Sequence, residues 1–380
     1  MKKIGYWILA GIYNLSCMFC SVKQKKIVLL NGHNHGLNGN LLEVYEEMKK
    51  RSSEYNFIMI AKRDLFKAEG KGKIGKILTL IKGSFHFFAA LPYHMATAEK
   101  VFLNDNFIPM AYMKTEKRKT QFIQLWHGAG AFKRFGLSTE SDPKVYQLVE
   151  KANQKITHLF VTSKQVVPYY EEAFAIKKEK IYPIGIPVTD LYFDDERISQ
   201  RKERVYQQYP ELRKYKLLLY APTFRNEAEE NQQILKQFDV SKIHEILGVE
   251  WLILVKMHPK FPVENIIEND YCYNMTGYND ISDLYLVADM LITDYSSTVV
   301  EYSLLDKPVI MFAYDLQKYD RGFYYDYESM VPGTVAHSQQ ELFEILEKKL
   351  DKVEKRHNFV KFQYDNIKGK VCPDILDVLE

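Results

Sequence analysis

Two histidines stand directly after apolar runs that have the pattern of buried strands. In "FIQLWHGAGAFKRFG" the run ends at His127 and glycines follow, and in "LILVKMHPK" it ends at His258. Glycine lets a backbone turn tightly against a ligand, and imidazole can take a proton from a hydroxyl near neutral pH. We predict His127 as a general base and His258 as an acid or charge stabiliser on the other side of one transferred group. The alternative is that both histidines only hydrogen-bond within turns.

Cations and a hydroxyl accompany these strand ends. Lys133 and Arg134 follow the first histidine, and we expect them to receive an anion on the acceptor side of the reaction. In "LYAPTFR", Thr223 and Arg225 follow another strand, where a guanidinium can grip a phosphate through two hydrogen bonds. A surface salt bridge is the alternative for Arg225.

A further strand end, in "LITDYSSTVVEYSLL", combines a polar turn with the start of an amphipathic helix. Amides and hydroxyls at a helix N-terminus make an anion site, although a plain helix cap explains the same residues. Glu301, one turn further on, is either a partner of ribose hydroxyls or a solvated carboxylate. The predicted donor- and phosphate-binding residues are Thr223, Arg225, Lys256, Ser296, Ser297, Thr298, Glu301 and Arg321.

Sequence motifs for metals and common cofactors are missing. The chain has no DxD pair after a strand, no P-loop and no GxGxxG directly after a strand, which argues against an ATPase and against a nicotinamide enzyme. A phosphate transfer that uses no metal and no cofactor fits the polar residues better. The net charge of +3 is too small to indicate nucleic acid binding, and the four cysteines are expected to be reduced bystanders.

Two series of apolar strands, alternating with helical segments, must position these residues. The first runs from "KKIVLLNGH" to "KIYPIGIP" and the second from "KLLLYAPTF" to "KPVIMFAYD". The alternation predicts two parallel, doubly wound α/β domains that face each other across a cleft, with ligands beyond the carboxyl ends of the strands. "LFEILEKKLDKVEKRHNFVKFQYD" indicates one long helix before a tail. The predicted segments are a membrane-associating helix at 1–26, an acceptor-side domain at 27–188, a donor-binding domain at 189–355, and a C-terminal helix and tail at 356–380.

The N-terminal segment has the pattern of a membrane-associating helix. Residues 1–26 carry five lysines and no acid, and the apolar run between them is close to the ~20 residues that span a bilayer. We favour a helix lying in the membrane plane over a span or a buried helix. A second stretch, 71–95, sets isoleucines and lysines on opposite faces, which is typical of a surface helix or of contact with anionic lipid. The chain is expected at the cytoplasmic face of the membrane, as a peripheral protein.

Several of these segments together resemble the CDP-glycerol glycerophosphotransferase family, the teichoic acid primases and polymerases of Gram-positive bacteria. The resemblance covers most of residues 27–345. It rests, in order along the chain, on "WHGAGAFKRFG", "IGIPVTDLYF", "LLLYAPTFR", "LVKMHP", "DLYLVADMLITDYSSTVVEYSLLDKPVIMFAYD" and "RGFYYDYE".

The resemblance implies a GT-B fold, CDP-glycerol or CDP-ribitol as donor, CMP as leaving product, and an undecaprenyl-diphosphate-linked acceptor at an anionic membrane surface. It implies that His127 is the base on the acceptor hydroxyl and that His258 contacts the transferred phosphate. It also places Arg225, together with the hydroxyls at 296–298, around the donor diphosphate. The chain length favours a primase or a compact polymerase. A homo-oligomer is compatible with either enzyme.

Two positions depart from the family pattern. Val188 follows Pro187 where an arginine is common, and Glu301 stands where an aspartate is common. Both departures leave the choice between glycerol and ribitol open. The rival hypotheses are a sugar-nucleotide glycosyltransferase of the same architecture, a membrane scaffold without activity, and a nucleic acid binder, which is the least favoured because the basic clusters accompany apolar helices.

Overall fold

A computed structural model describes residues 2–32, 35–65, 67, 72–115, 119–225, 227–258 and 268–380. The chain divides into two compact units. Unit 1 comprises residues 1–190 and 370–380, and unit 2 comprises residues 191–369. The sequence prediction placed the division between the domains two residues earlier, at 188, and kept 356–380 as one segment. In the structure the last helix of that segment belongs to unit 1.

Unit 1 is built on a six-stranded sheet in which all neighbouring strands are parallel, in the order β2-β1-β3-β4-β5-β6. Its strands are β1 (Lys23–Asn31), β2 (Asn56–Ala61), β3 (Ala98–Leu103), β4 (Gln121–Gln124), β5 (His158–Phe160) and β6 (Ile181–Tyr182). Its helices are α1 (Lys2–Phe19), α2 (Gly39–Arg51), α3 (Lys62–Leu65), α4 (Gly72–Phe85), α5 (Leu91–Thr97), α6 (Pro143–Asn153), α7 (Val167–Phe174) and the last helix of the chain, α16 (Val371–Leu379).

Unit 2 has a second six-stranded parallel sheet, in the order β12-β11-β10-β7-β8-β9. Its strands are β7 (Lys216–Tyr220), β8 (Trp251–Val255), β9 (Cys272–Asn274), β10 (Met290–Thr293), β11 (Val309–Phe312) and β12 (Thr334–Ala336). Its helices are α8 (Asp195–Gln208), α9 (Ala228–Gln237), α10 (Val240–Leu247), α11 (Ile281–Val287), α12 (Thr298–Tyr302), α13 (Tyr327–Met330), α14 (Gln339–Glu347) and α15 (Val353–Tyr364).

Both sheets are flanked by helices because the strands are apolar on both faces. The central strands β1 and β7 end in unbroken runs of buried residues, which is typical of parallel sheets covered on both sides. The prediction of two parallel α/β sheets is therefore confirmed. In each sheet the strand order reverses direction next to the first strand, between β1 and β3 in unit 1 and between β7 and β10 in unit 2. Ligands of doubly wound sheets bind at such points, beyond the carboxyl ends of the strands.

The C-terminal helix differs from the prediction. The stretch expected to form one long helix forms two, because α14 ends at Glu347 and α15 begins at Val353. Lys349 has a φ of 48°, a left-handed conformation that ends α-helices. Arg356 of α15 is buried and pairs with Asp351 in this connection, at 2.6 Å, and with Asp306, at 2.8 Å. Tertiary ion pairs therefore fix a break that helical periodicity does not show.

Two helices of unit 1 expose apolar faces. One face of α1 lies in the core through Leu9 and Tyr13, both 0% exposed, whereas Met18 and Phe19 on the other side are 76% and 78% exposed. Ile74 of α4 is 76% exposed. Within the described residues, the helical stretch Gly72–Thr97 is the one whose length and mean hydropathy, 1.3, would suit a membrane crossing, and these two properties alone do not show that it crosses.

Candidate active site

His127 lies just beyond β4, at the carboxyl edge of the sheet of unit 1, and is exposed. Its Nδ1 is 3.0 Å from the backbone carbonyl oxygen of Asn104, the first residue after β3. A carbonyl only accepts hydrogen bonds, so Nδ1 carries the proton and Nε2 of the neutral ring carries the lone pair. The ring packs against the Trp126 indole, with a centroid distance of 4.1 Å. The imidazole is thus held in the tautomer that a base acting through Nε2 requires.

The glycines after His127 let this loop pack closely. Gly136 has a φ of 59°, and a Cβ there would lie 2.4 Å from the carbonyl oxygen of Ala173, so the position admits only glycine. Tyr170 of α7 donates from its hydroxyl to the carbonyl of Gly130, at 2.9 Å. The loop that presents His127 is therefore fastened to α7.

The two cations of this loop lie beyond His127. Lys133 is half-buried, and Arg134 is exposed with its guanidinium 3.6 Å from the Glu172 carboxylate. Pairing with an exposed carboxylate is weak and leaves a guanidinium able to exchange partners. The role of both cations on the acceptor side stays a prediction.

Sequence reasoning missed four buried carboxamides around His127. They are Asn31, Asn40, Asn104 and Gln124, none more than 5% exposed. For Asn31 and Asn104 the available signal was an asparagine at the end of a predicted strand, in "LLNGH" and "FLND", because a buried amide must find partners there.

In unit 2, Arg225 occupies the switch point between β7 and β10, but its guanidinium faces protein carboxylates. It donates to Asp294 at 2.8 Å and to both oxygens of Asp315 at 2.8 and 2.9 Å, and it reaches the Thr223 carbonyl at 2.6 Å. Four of its five N–H groups are thereby used. Burial disfavours the charge, but the two aspartates outweigh it and raise the pKa of Arg225. Its contact with a donor phosphate stays a prediction, and only one N–H group has no hydrogen bond to a described residue.

Thr223 and the turn after β10 form the polar surface beside this ion-pair cluster. The Thr223 amide donates to Asp294 Oδ1 at 2.8 Å, while the Thr223 hydroxyl is buried and has no hydrogen-bond partner among the described residues. A buried hydroxyl without a partner is costly, and a bound ligand would satisfy it. The Ser296 and Thr298 hydroxyls lie 2.7 Å apart, and Ser297 is exposed and makes no side-chain cap bond to α12.

Comparison with known proteins shows the family of the chain. Residues 12–373 match the family described as CDP-glycerol:poly(glycerophosphate) glycerophosphotransferase. The chain belongs to this glycerophosphotransferase family. The family predicted from the sequence motifs is thereby confirmed.

Two curated relatives carry ribitol-phosphate names. A teichoic acid poly(ribitol-phosphate) polymerase of Bacillus spizizenii is 31% identical over 94% of this chain and 56% of its own length. A teichoic acid ribitol-phosphate primase of the same organism is 32% identical over 88% of this chain and 85% of its own length. The chain thus spans little more than half of the first relative and most of the second.

A solved structure of the wall teichoic acid polymerase TagF has the same fold. It aligns with a TM-score of 0.77 over 97% of this chain and 92% of that chain, at 24% identity. The likeness shows that the architecture of this glycerophosphotransferase-family chain is that of TagF.

The other predicted donor residues of this family member have protein partners in unit 2. Lys256 donates to the carbonyls of Thr276 and Tyr278, at 2.9 and 2.5 Å, and burial lowers the pKa of its amine. Glu301 accepts from the Tyr192 hydroxyl at 2.9 Å, and burial raises the pKa of the carboxyl. Glu301 is therefore not the solvated carboxylate that the sequence left open as an alternative. The contacts of Lys256 and Glu301 with the donor stay predictions.

His258 and Arg321 lie on exposed parts of unit 2. His258 follows β8 and contacts the Phe224 ring, with a centroid distance of 5.2 Å. Arg321 lies in the loop after β11.

Within the described ranges, no three His, Cys, Asp or Glu side chains cluster closely enough to hold a metal ion.

Proposed function

We propose that this chain transfers glycerol phosphate from CDP-glycerol to a hydroxyl of a lipid-linked saccharide or growing teichoic acid chain, releasing CMP. The acceptor oxygen forms a bond to the β-phosphorus of the donor, and the bond from that phosphorus to the bridging oxygen breaks. CMP leaves with the electron pair, and the acceptor proton passes to Nε2 of His127. Family membership supports CDP-glycerol as the donor, and the names of the relatives support transfer of a polyol phosphate in teichoic acid synthesis.

One observation carries the assignment of the base, namely the hydrogen bond from His127 Nδ1 to the Asn104 carbonyl at 3.0 Å. It keeps Nε2 unprotonated in the neutral ring, as acceptance of a hydroxyl proton demands. In unit 2, the Thr223 hydroxyl, which has no partner among the described residues, and the serines after β10 supply groups for the donor diphosphate. His258 is assigned to stabilise charge on the transferred phosphate.

The experiment that tests this proposal measures CMP release with a lipid-linked acceptor and separate donors. We expect turnover with CDP-glycerol and a loss of at least ~100-fold in kcat for His127→Gln and for His258→Gln, because each variant removes an acid–base or charge-stabilising group. His357→Gln, which changes an exposed histidine on α15, is the control. Wild-type turnover in His127→Gln would remove the imidazole from the mechanism.

CDP-ribitol is the second candidate donor. The observation that favours it is that the two Bacillus spizizenii relatives carry ribitol-phosphate names. The same assay decides between the donors, since the polyol that supports the larger kcat/KM is the substrate. Nucleotide sugars complete the donor series, and turnover with one of these alone would make the chain a glycosyltransferase.

We also propose that the chain attaches peripherally to the cytoplasmic face of the membrane through α1 and α4. The exposed apolar residues of both helices, with the lysines around them, support this attachment. An acceptor built on a lipid requires the enzyme to work at that surface. The apolar faces and the base belong to the same unit.

A further inference from the structure

The residue before His127 has a backbone conformation that few side chains adopt. Trp126 has a φ of 56°, in the left-handed region, where a bulky residue is strained and persists only if its surroundings hold it. The indole is 9% exposed and packs against Phe135 and Phe174, with centroid distances of 5.7 and 5.1 Å. Ring packing holds the side chain, and the peptide groups need separate partners.

Two carboxamides hold those peptide groups, one at the Trp126 carbonyl and one at the Trp126 amide. Asn40, at the start of α2, donates from Nδ2 to the carbonyl of Trp126 at 2.9 Å and accepts from the Val188 amide at 2.9 Å. Gln124, the last residue of β4, accepts from the Trp126 amide at 2.9 Å and donates to the Asp105 carbonyl at 3.1 Å. Each carboxamide uses its donor and its acceptor at once, so neither can be replaced by a carboxylate without losing a bond.

The carbonyl that holds the His127 ring is fixed by the same kind of contact. Asn104 donates from Nδ2 to Asn31 Oδ1 at 3.0 Å and accepts from the Gly32 amide at 3.3 Å. Its own carbonyl meets His127 Nδ1 at 3.0 Å. The imidazole is therefore attached at two points, through the Trp126–His127 peptide and through the ring nitrogen.

We infer that Asn40 and Gln124 are positioning residues for His127: they hold Trp126 left-handed, so that His127 Nδ1 meets the Asn104 carbonyl and Nε2 is kept as the basic nitrogen. The inference rests on the proposed function only where it assigns Nε2 to accept the proton of the acceptor hydroxyl. The state of the imidazole itself can be measured without turnover.

Asn40→Asp is the most specific variant, because the side chain keeps its shape while its hydrogen bond to the Trp126 carbonyl is replaced by repulsion between two oxygens. The carboxylate still accepts from Val188 but places a negative oxygen against the Trp126 carbonyl. Asn153→Asp is the matched control, since Asn153 is another buried asparagine of unit 1, 2% exposed, whose Nδ2 donates to one carbonyl, that of Phe174, at 3.0 Å. Both variants bury one carboxylate, but only the first changes a hydrogen bond to the peptide before His127.

The experiment combines 15N NMR of histidine-labelled full-length protein with steady-state kinetics. The His127 signal is assigned by its loss in His127→Gln. In the wild type and in Asn153→Asp we expect the tautomer protonated at Nδ1. In Asn40→Asp we expect a mixture of tautomers and a kcat ~100-fold lower at unchanged donor KM, because a misplaced catalytic group lowers the rate without weakening donor binding.

A wild-type tautomer together with wild-type kcat in Asn40→Asp overturns the inference. If Asn40→Asp does not fold, Asn40→Ala and Asn153→Ala repeat the comparison without a buried charge, with a ~10-fold loss of kcat expected in the first. If the proposed function is wrong, the result is different: His127→Gln stays active, while Asn40→Asp still shows the change of tautomer.

Discussion

At the scale of single residues, partners decide what a side chain can do. His127 depends on one backbone carbonyl for its tautomer, whereas Arg225, predicted to hold a phosphate, is engaged by two aspartates. Lys26 differs from both, because it is 4% exposed and its amine donates to the Thr97 hydroxyl at 2.5 Å and lies 4.9 Å from the centre of the Tyr93 ring. Burial, with Lys23 nearby, lowers the pKa of Lys26 to about 8.

We therefore predict that Lys26→Met stabilises the protein in a pH-dependent way. The folded pKa lies below that of the unfolded chain, so the penalty for burying the charged amine is fully present below about pH 8 and fades as the pH rises towards ~10.4, where the unfolded chain also loses the proton. The variant should gain ~2 kcal/mol in free energy of unfolding at pH 7 and less at pH 10. Denaturation series at both pH values measure this, and an equal gain at both, or none, contradicts it.

At the scale of elements, the carboxyl ends of three strands of unit 2 are cross-linked around Arg225. Arg225 follows β7, Asp294 follows β10 and Asp315 follows β11. Tyr295 adds a hydrogen bond to Asp315 at 2.8 Å and places its ring 5.0 Å below the guanidinium. The cluster fixes the turn that carries Ser296 and Ser297, so its integrity bears on the proposed donor site as well as on stability.

We predict that Asp315→Asn lowers the free energy of unfolding by ~3 kcal/mol, because removal of one partner leaves a buried cation undercompensated. Chemical denaturation of the full chain measures the loss. Glu203→Gln, which breaks the exposed pair of Glu203 with Arg213 at 2.7 Å, serves as the control and should have no measurable effect. Similar values for the two variants would mean that the cluster contributes no more than a surface pair.

At the scale of the whole molecule, the chain passes from unit 1 to unit 2 and back. It leaves unit 1 after Asp190 and returns at Lys370. The Asp190 carboxylate accepts from the amides of Val371 and Cys372, both at 2.8 Å, so the outgoing and returning segments are joined at the start of α16. Arg51 of α2 holds the other end of α16 through Asp377, at 2.7 Å. The C-terminus thereby stabilises the unit that carries His127 and the apolar faces.

The membrane proposal predicts that Met18→Glu/Phe19→Glu binds vesicles of anionic phospholipid at least ~10-fold more weakly than the wild type, since two apolar anchors become charged. Turnover on a soluble acceptor analogue should be unchanged. Val249→Glu is the control, because Val249 of unit 2 is 82% exposed and lies outside both helices. Equal sedimentation of wild type and double variant with vesicles would rule out α1 as an attachment point.

The sequence by itself determined the class of fold, the strand ends that carry polar residues and the family. These follow from local periodicity and from short motifs, which need no knowledge of distant residues. The break between α14 and α15 did not follow, because it depends on Arg356 meeting Asp306, 50 positions away.

Only the tertiary structure decided the partners of the predicted site residues. Arg225 meets aspartates that lie 69 and 90 positions further along the chain, and His127 meets a carbonyl 23 positions earlier. The carboxamides that hold Trp126 come from α2 and β4, and nothing in their local sequence marks them. Hydrogen bonds and ion pairs of buried groups are set by which strand ends become neighbours in the sheet, and this is a property of the folded chain.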